Sequence, residues 1–154
     1  MKENKEPTYA VDTNILVYAF DRTNPHKQEI GKAILEKCWK REKNLVISSQ
    51  NLAEFFIVVT KKIPSPISVG DAKQIIRDIN DFTQWQVCNY NGKTVERAIE
   101  IQERTKKHFW DALLAATLIQ NGIYHIFTEN TSDFKDIEGI TACNPFKEKN
   151  NSQV

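Results

Sequence analysis

The feature that most constrains the fold of this chain is an alternation along its whole length. Short apolar runs of strand length are separated by longer stretches whose apolar residues recur at helical spacing. Tyr9 to Asp12, Leu45 to Ser48, Gln84 to Val87, Tyr124 to Thr128 and Ile140 to Cys143 read as strands. Between them lie a short helix over Asn14 to Phe20 and a longer one over about Pro25 to Lys40. Ser49 caps a third helix to about Lys62, Ser68 a fourth with Asp71 three residues on, and Asn91 opens a fifth; the last stops at Asn121-Gly122. Strands joined by helices pair in parallel, so the pattern predicts an α/β fold around a parallel sheet. At 154 residues the chain matches one domain. The domain is expected over 8–146, with polar tails at 1–7 and 147–154.

Three carboxylates interrupt the apolar pattern. Asp12 follows Tyr9-Ala10-Val11 and precedes a second apolar run, which places it at the end of a buried strand. Burying an unpaired carboxylate costs several kcal/mol, so a cation, a proton or hydrogen-bond donors must meet it. The competing role is a helix N-cap. Glu54 has Ile57 and Val58 at i+3 and i+4, on a helix whose Leu52, Phe55, Phe56 and Val59 form one stripe and whose Ala53, Ile57 and Val58 cover most of the rest. That helix is expected to be nearly surrounded by protein; the competing role for Glu54 is a solvated side chain. Asp111 heads a stripe of Leu114, Ala115 and Leu118, and an acid in a first helical turn also suits the helix dipole.

Composition narrows the partners little. Lys+Arg 21 against Asp+Glu 20 gives a net charge of +1, which excludes a strongly basic nucleic-acid coat but permits local patches. Cys38, Cys88 and Cys143 stand singly without metal-type spacing and are expected to be reduced core residues. The polar start Met1 to Pro7 lacks an apolar signal core, and no stretch approaches a membrane span, so the expected location is the cytoplasm, with no membrane partner. Glycine is scarce, and no Gly-rich phosphate loop is present.

Three acids without Lys or Arg inside their motifs cannot all stay ionised close together unless a cation joins them. Oxygen ligands select a hard divalent ion, Mg²⁺ or Mn²⁺. Such an ion suits phosphoryl chemistry, so the residues alone point to a metal-dependent phosphodiesterase.

The ordered set Val11-Asp12-Thr13-Asn14, Asn51-Leu52-Ala53-Glu54-Phe55-Phe56, Phe109-Trp110-Asp111-Ala112-Leu113 and Thr128-Glu129-Asn130 resembles the PIN-domain ribonucleases, especially the VapC-type toxins of toxin–antitoxin pairs. The resemblance runs from Tyr9 to Phe146 and includes Asn144-Pro145-Phe146. It implies a three-layer α/β/α domain with a central, mostly parallel sheet, a Mg²⁺ or Mn²⁺ site, and hydrolysis of RNA, commonly tRNA in the toxin group. It also implies a separately encoded antitoxin and a homodimer. Carried over by position, Asp12 and Asp111 resemble direct metal ligands, and Glu54 a ligand through water or an activator of the attacking water. Asn14 and Thr128 resemble the polar residues that orient them. The chain departs from the family's Thr-x-Asp, having Thr128-Glu129-Asn130. Asn130 offers a metal a carbonyl oxygen without charge, and Asp133 is the acid that stands in; Glu129 is expected to point away from Asn130.

Lys106, Lys107 and His108, just before Asp111, are candidate RNA contacts, and Lys40-Arg41 and Lys61-Lys62 are further ones. Solvated helix ends are the competing reading. Phe109 and Trp110 are expected in the core, with base stacking as the alternative. Two rival functions follow from the same residues. One is a catalytically silent PIN-fold module that binds RNA or protein, suggested by Asn130. The other is a phosphatase using Asp12 as covalent nucleophile, which calls for a second acid where the chain has Asn14.

Overall fold

A computed structural model describes residues 5–147 of the chain. Most of the two expected tails lies outside the described residues; within them, Lys5 to Pro7 and Lys147 are exposed. Five strands form one sheet: β1 (Tyr9–Val11), β2 (Leu45–Ser48), β3 (Trp85–Cys88), β4 (His125–Phe127) and β5 (Thr141–Cys143). Their order is β3-β2-β1-β4-β5 and every pairing is parallel, so the expected mostly parallel sheet is parallel throughout.

Alternation along the strands divides the core. Val11, Leu45, Ile47 and Trp85 belong to one buried cluster, with Tyr9, Val87 and Phe127 packed against it. Ala10, Val46, Cys88 and Ile126 belong to another on the opposite face. The first cluster takes its helical partners from α1 (Thr13–Ala19), α2 (Pro25–Trp39), α3 (Ser49–Lys61) and α4 (Val69–Asp81). The second packs on α6 (Phe109–Gln120), and α5 (Gly92–Thr105) joins α6 through Ala98, Ala112, Leu113 and Ala116. Helices on both faces of a parallel sheet give the three-layer α/β/α arrangement. No helix among the described residues is long and apolar enough to cross a membrane.

Local chemistry accounts for the element boundaries. Ser48, the last residue of β2, caps α3 by accepting from Asn51 N–H at 3.0 Å, one residue before the cap expected at Ser49. The strand therefore turns straight into the helix, and α3 begins beside β1. Asn91 and Thr94 form a reciprocal capping box on α5. Gly122, at φ 73°, follows α6 in the left-handed conformation that glycine adopts freely.

The apolar pattern overstates burial at several positions. Helix α3 is not nearly surrounded: Ala53, Glu54 and Ile57 are exposed along its outer side. Val69 on α4 and Ile99 on α5 are exposed apolar residues. Cys38 and Cys88 are buried free thiols, whereas Cys143 is exposed on the edge strand β5.

From β1 the chain steps outward to β2 and β3, then crosses back to place β4 on the other side of β1. The reversal opens a crevice at the C-terminal ends of β1 and β4, the place where open α/β sheets bind ligands. Asp12 leaves β1 at this point, and its backbone N–H donates to the Phe127 carbonyl at 3.0 Å.

Candidate functional site

The floor of the crevice is a hydrogen-bonded set of polar side chains. Asp12 is both cap and cleft residue: its Oδ1 accepts from Thr13 N–H at 2.8 Å at the start of α1, and its Oδ2 accepts from the Thr128 hydroxyl at 2.8 Å. Thr128 is fully buried, and its oxygen accepts from Asn130 N–H at 3.1 Å and from Asn14 Nδ2 at 3.5 Å. Asn14 Oδ1 in turn accepts from Glu129 N–H at 3.2 Å. Asn14 and Thr128 thus tie Asp12 and the turn after β4 to one another.

Asp12, Glu54, Asp111, Asn130 and Asp133 line one cleft of about 430 Å³, together with Thr13, Asn14, Tyr18 and Asp21. Asp12 follows the end of β1 and caps α1, Glu54 comes from the second turn of α3, Asp111 from the first turn of α6, and Asp133 from a single 3-10 turn, Thr131–Asp133, after β4. Residues up to 121 positions apart in sequence (Asp12 to Asp133) therefore share one space.

The electrostatics of this space are unfavourable for the protein alone. Burial pushes the Asp12 carboxyl above its usual range, against the opposing pull of the Thr128 and Thr13 hydrogen bonds, and Glu54 and Asp133 push it further. Asp111 is raised to about 6, first by burial and then by Asp133 and Asp12; His108 works weakly the other way. Among the described residues none of these acids forms an ion pair: the pairs present are Lys27–Glu129, Lys40–Glu36 and Lys43–Glu6.

The donor set fits a hard divalent cation. It consists of carboxylate and amide oxygens, and the mutual repulsion it carries is what such an ion relieves. Among the described residues no three His, Cys, Asp or Glu groups stand together at ligating separation.

Glu129 is absent from the cleft lining that includes Asn130; β4 ends at Phe127, so the turn after the strand and not its alternation sets this direction. Glu129 pairs with Lys27, whose Nζ also donates to the Tyr18 hydroxyl at 3.3 Å and lies 4.7 Å from that ring's centre. Burial alone would raise the Glu129 carboxyl, but the hydrogen bonds from Lys27 and Tyr18 hold it below its usual range.

The cationic candidates lie off the cleft. Lys106 caps α5 with a left-handed backbone, at φ 61°. Lys107 donates to the Ser132 carbonyl at 2.8 Å and so ties the 3-10 turn bearing Asp133 to the start of α6. His108 is the exposed N-cap residue of α6. Arg41 is engaged with Thr83 and Gln84 and stacks on Phe82, while Lys40 faces Glu36. Phe109 is half-buried against the α5–α6 cluster, but Trp110, expected in the core, is 59% exposed and belongs to none of the buried clusters.

Sequence reasoning missed four polar participants. Asn51 is 1% exposed, and its Nδ2 donates to Asp12 Oδ1 at 3.3 Å and to Thr13 Oγ1 at 2.9 Å. Thr13 donates to Glu54 Oε2 at 2.7 Å, and Gln50 Nε2 donates to Glu54 Oε1 at 3.3 Å and to the Trp110 carbonyl at 3.2 Å. Asp21, also in the cleft lining, is buried and satisfied locally by Thr23 N–H at 3.0 Å. The available signal was the Ser-x-x-Asn spacing of a helix start, which marks Asn51 as polar and early in α3 without revealing its partner.

An all-parallel sheet flanked by helices on both faces, with acids gathered at its switch point, defines a class of fold, and the chain matches the PIN domain family over residues 9–140. The chain belongs to that family. Among solved structures it resembles a toxin–antitoxin complex from Klebsiella pneumoniae at 22% identity and TM-score 0.63, over 90% of this chain and 98% of that one. It also resembles VapC20 of Mycobacterium tuberculosis, described as a Sarcin-Ricin loop cleaving toxin, at 17% identity and TM-score 0.62 over 83% and 95% of the two chains. A third likeness is to VapBC2 from Rickettsia felis bound to a promoter DNA fragment, at 19% identity and TM-score 0.61, covering 89% and 98%. At these identities the likeness is one of fold. No curated protein matches the sequence.

Proposed function

We propose that the protein is a Mg²⁺- or Mn²⁺-dependent endoribonuclease acting as the toxin of a toxin–antitoxin pair. The observation that carries this reading is the gathering of Asp12, Glu54, Asp111 and Asp133 in one cleft, where among the described residues no cationic side chain pairs with them. Asp12 and Asp111, whose carboxyls are raised by burial and by their acidic neighbours, are the groups that gain most from a divalent ion and would hold it. A bound ion would polarise the phosphate and supply a hydroxide-like nucleophile at neutral pH. Glu54, exposed at the cleft, would take a proton from an attacking water or meet the ion through water. Thr128, Asn14 and Asn51 keep Asp12 in one orientation, so no reorganisation is needed when substrate arrives.

Asp133 supports activity over the silent binding module. It lines the same cleft as Asn130 and raises the carboxyls of both Asp12 and Asp111, so a fourth negative charge is available despite Asn130. The substrate we infer is RNA, tRNA among the candidates, with Lys106 and His108 as outlying phosphate contacts. The toxin–antitoxin complexes of like fold support a small antitoxin as partner, and a homodimer is the expected assembly.

The experiment is cleavage of a pool of structured RNAs by the purified full chain with Mn²⁺, Mg²⁺ or chelator, beside Asp12→Asn. Cutting that requires the metal and disappears in the variant supports the nuclease. A folded protein that cuts nothing with either metal overturns it and leaves the binding module.

A further inference from the structure

The acids of the cleft come from different elements, and something must hold the most exposed of them in place. Glu54 is exposed on α3, and a free glutamate there would spread over several rotamers. Its carboxylate is instead held by a hydrogen-bond chain whose direction follows from counting donors.

The chain begins at Ser48, whose hydroxyl lies 2.8 Å from Asn51 Oδ1. Asn51 is buried, and the side of its amide that faces Asp12 must be the NH₂ group, because a carboxylate only accepts. The two hydrogens of that group are then committed, one to Asp12 Oδ1 and the other to Thr13 Oγ1. Thr13 has a single hydroxyl hydrogen. With its oxygen already accepting from Asn51, that hydrogen points to Glu54 Oε2, 2.7 Å away, a short charge-assisted bond. Gln50 Nε2 meets the other oxygen, Oε1, and also grips the Trp110 carbonyl next to Asp111.

We propose that Thr13, aligned by the buried Asn51, is a positioning residue that holds the Glu54 carboxylate over the Asp12 end of the cleft. One neutral amide thereby meets Asp12 directly and reaches Glu54 through a single hydroxyl, which fixes two mutually repelling acids relative to each other before any ion binds. The proposal deepens the nuclease reading and rests on it for the role of Glu54, but the ordering of Glu54 is a property of the protein alone.

The test uses the full chain and the near-isosteric Thr13→Val, with Thr13→Ser as the variant that restores the hydroxyl. In chelator, NMR side-chain couplings read the Glu54 χ1 rotamer. A single rotamer is expected in the wild type and Thr13→Ser, and rotamer averaging in Thr13→Val. With Mn²⁺ and RNA, Thr13→Val should lower kcat by about 10-fold with KM within about 2-fold, as loss of an orienting partner does, and Thr13→Ser should recover it. A Glu54 rotamer unchanged by Thr13→Val overturns the proposal even if the wild type cuts RNA. Averaging in Thr13→Val alone, beside a wild type that cuts nothing, upholds the positioning and overturns the nuclease.

Discussion

Replacing Asp111 by Asn should stabilise the metal-free protein at neutral pH while removing its response to metal. The Asp111 carboxyl is raised from 3.8 to about 6 by burial, Asp133 and Asp12. In full, that rise corresponds to about 3 kcal/mol. The side chain is only partly buried, and solvent screening reduces the figure to about 1.5 kcal/mol. The attraction of the α6 N-terminus for a charge in its first turn works the other way by a few tenths of a kcal/mol, leaving a net gain of about 1 kcal/mol for a neutral amide. The sign follows from proton counting. The folded state binds the extra proton between pH 3.8 and about 6, so the wild type loses stability as pH rises through that window. The amide of the Asp111→Asn variant does not titrate, so its advantage should be absent near pH 4 and full above about 6.5. Thermal melts in chelator should place the variant about 2–4 °C above the wild type at pH 7.5 and level with it near pH 4. Adding Mn²⁺ should reverse the order at pH 7.5. A variant less stable than the wild type in chelator, or a difference independent of pH, would refute the claim that charge crowding in the cleft is the strain a metal relieves.

Two further substitutions probe the frame and the departure from the family pattern. A methyl group at Gly31 would meet Ala19 N at 3.1 Å and the Ile15 carbonyl at 3.2 Å, both backbone atoms that cannot turn aside. Gly31→Ala should therefore part α1 from α2 and cost about 1–2 kcal/mol in urea unfolding despite the better helix propensity of alanine; an unchanged or higher midpoint would show that the contact is slack. Asn130→Asp should tighten Mn²⁺ binding measured by calorimetry, whereas unchanged affinity would place Asn130 outside the ion's direct ligands.

The layout of the fold was legible because burial on both faces of a parallel sheet leaves continuous apolar strands such as Val46-Ile47 between amphipathic helices. Asp12 and Asp111 stood out for the same reason: each is a charge where the pattern calls for core. Asp133 was legible only beside the family's Thr-x-Asp, since an acid in a polar loop carries no signal of its own. Covered and open faces were not legible. Ile57 and Trp110 are apolar residues of helices whose outer sides nothing among the described residues covers, and periodicity reports which residues are apolar, not whether a neighbour arrives. The Asn51–Thr13 link was hidden more deeply, because it exists only once β1 and the start of α3 lie side by side, 38 residues apart in sequence.

The central claim, that this cleft is built around a divalent cation, is tested most directly by calorimetric titration of Mn²⁺ into the purified full chain at pH 7.5, beside Asp12→Asn. Saturable binding is expected for the wild type, abolished or weakened at least about 10-fold in the variant. Equal binding by the two proteins, or none by a folded wild type, would contradict it.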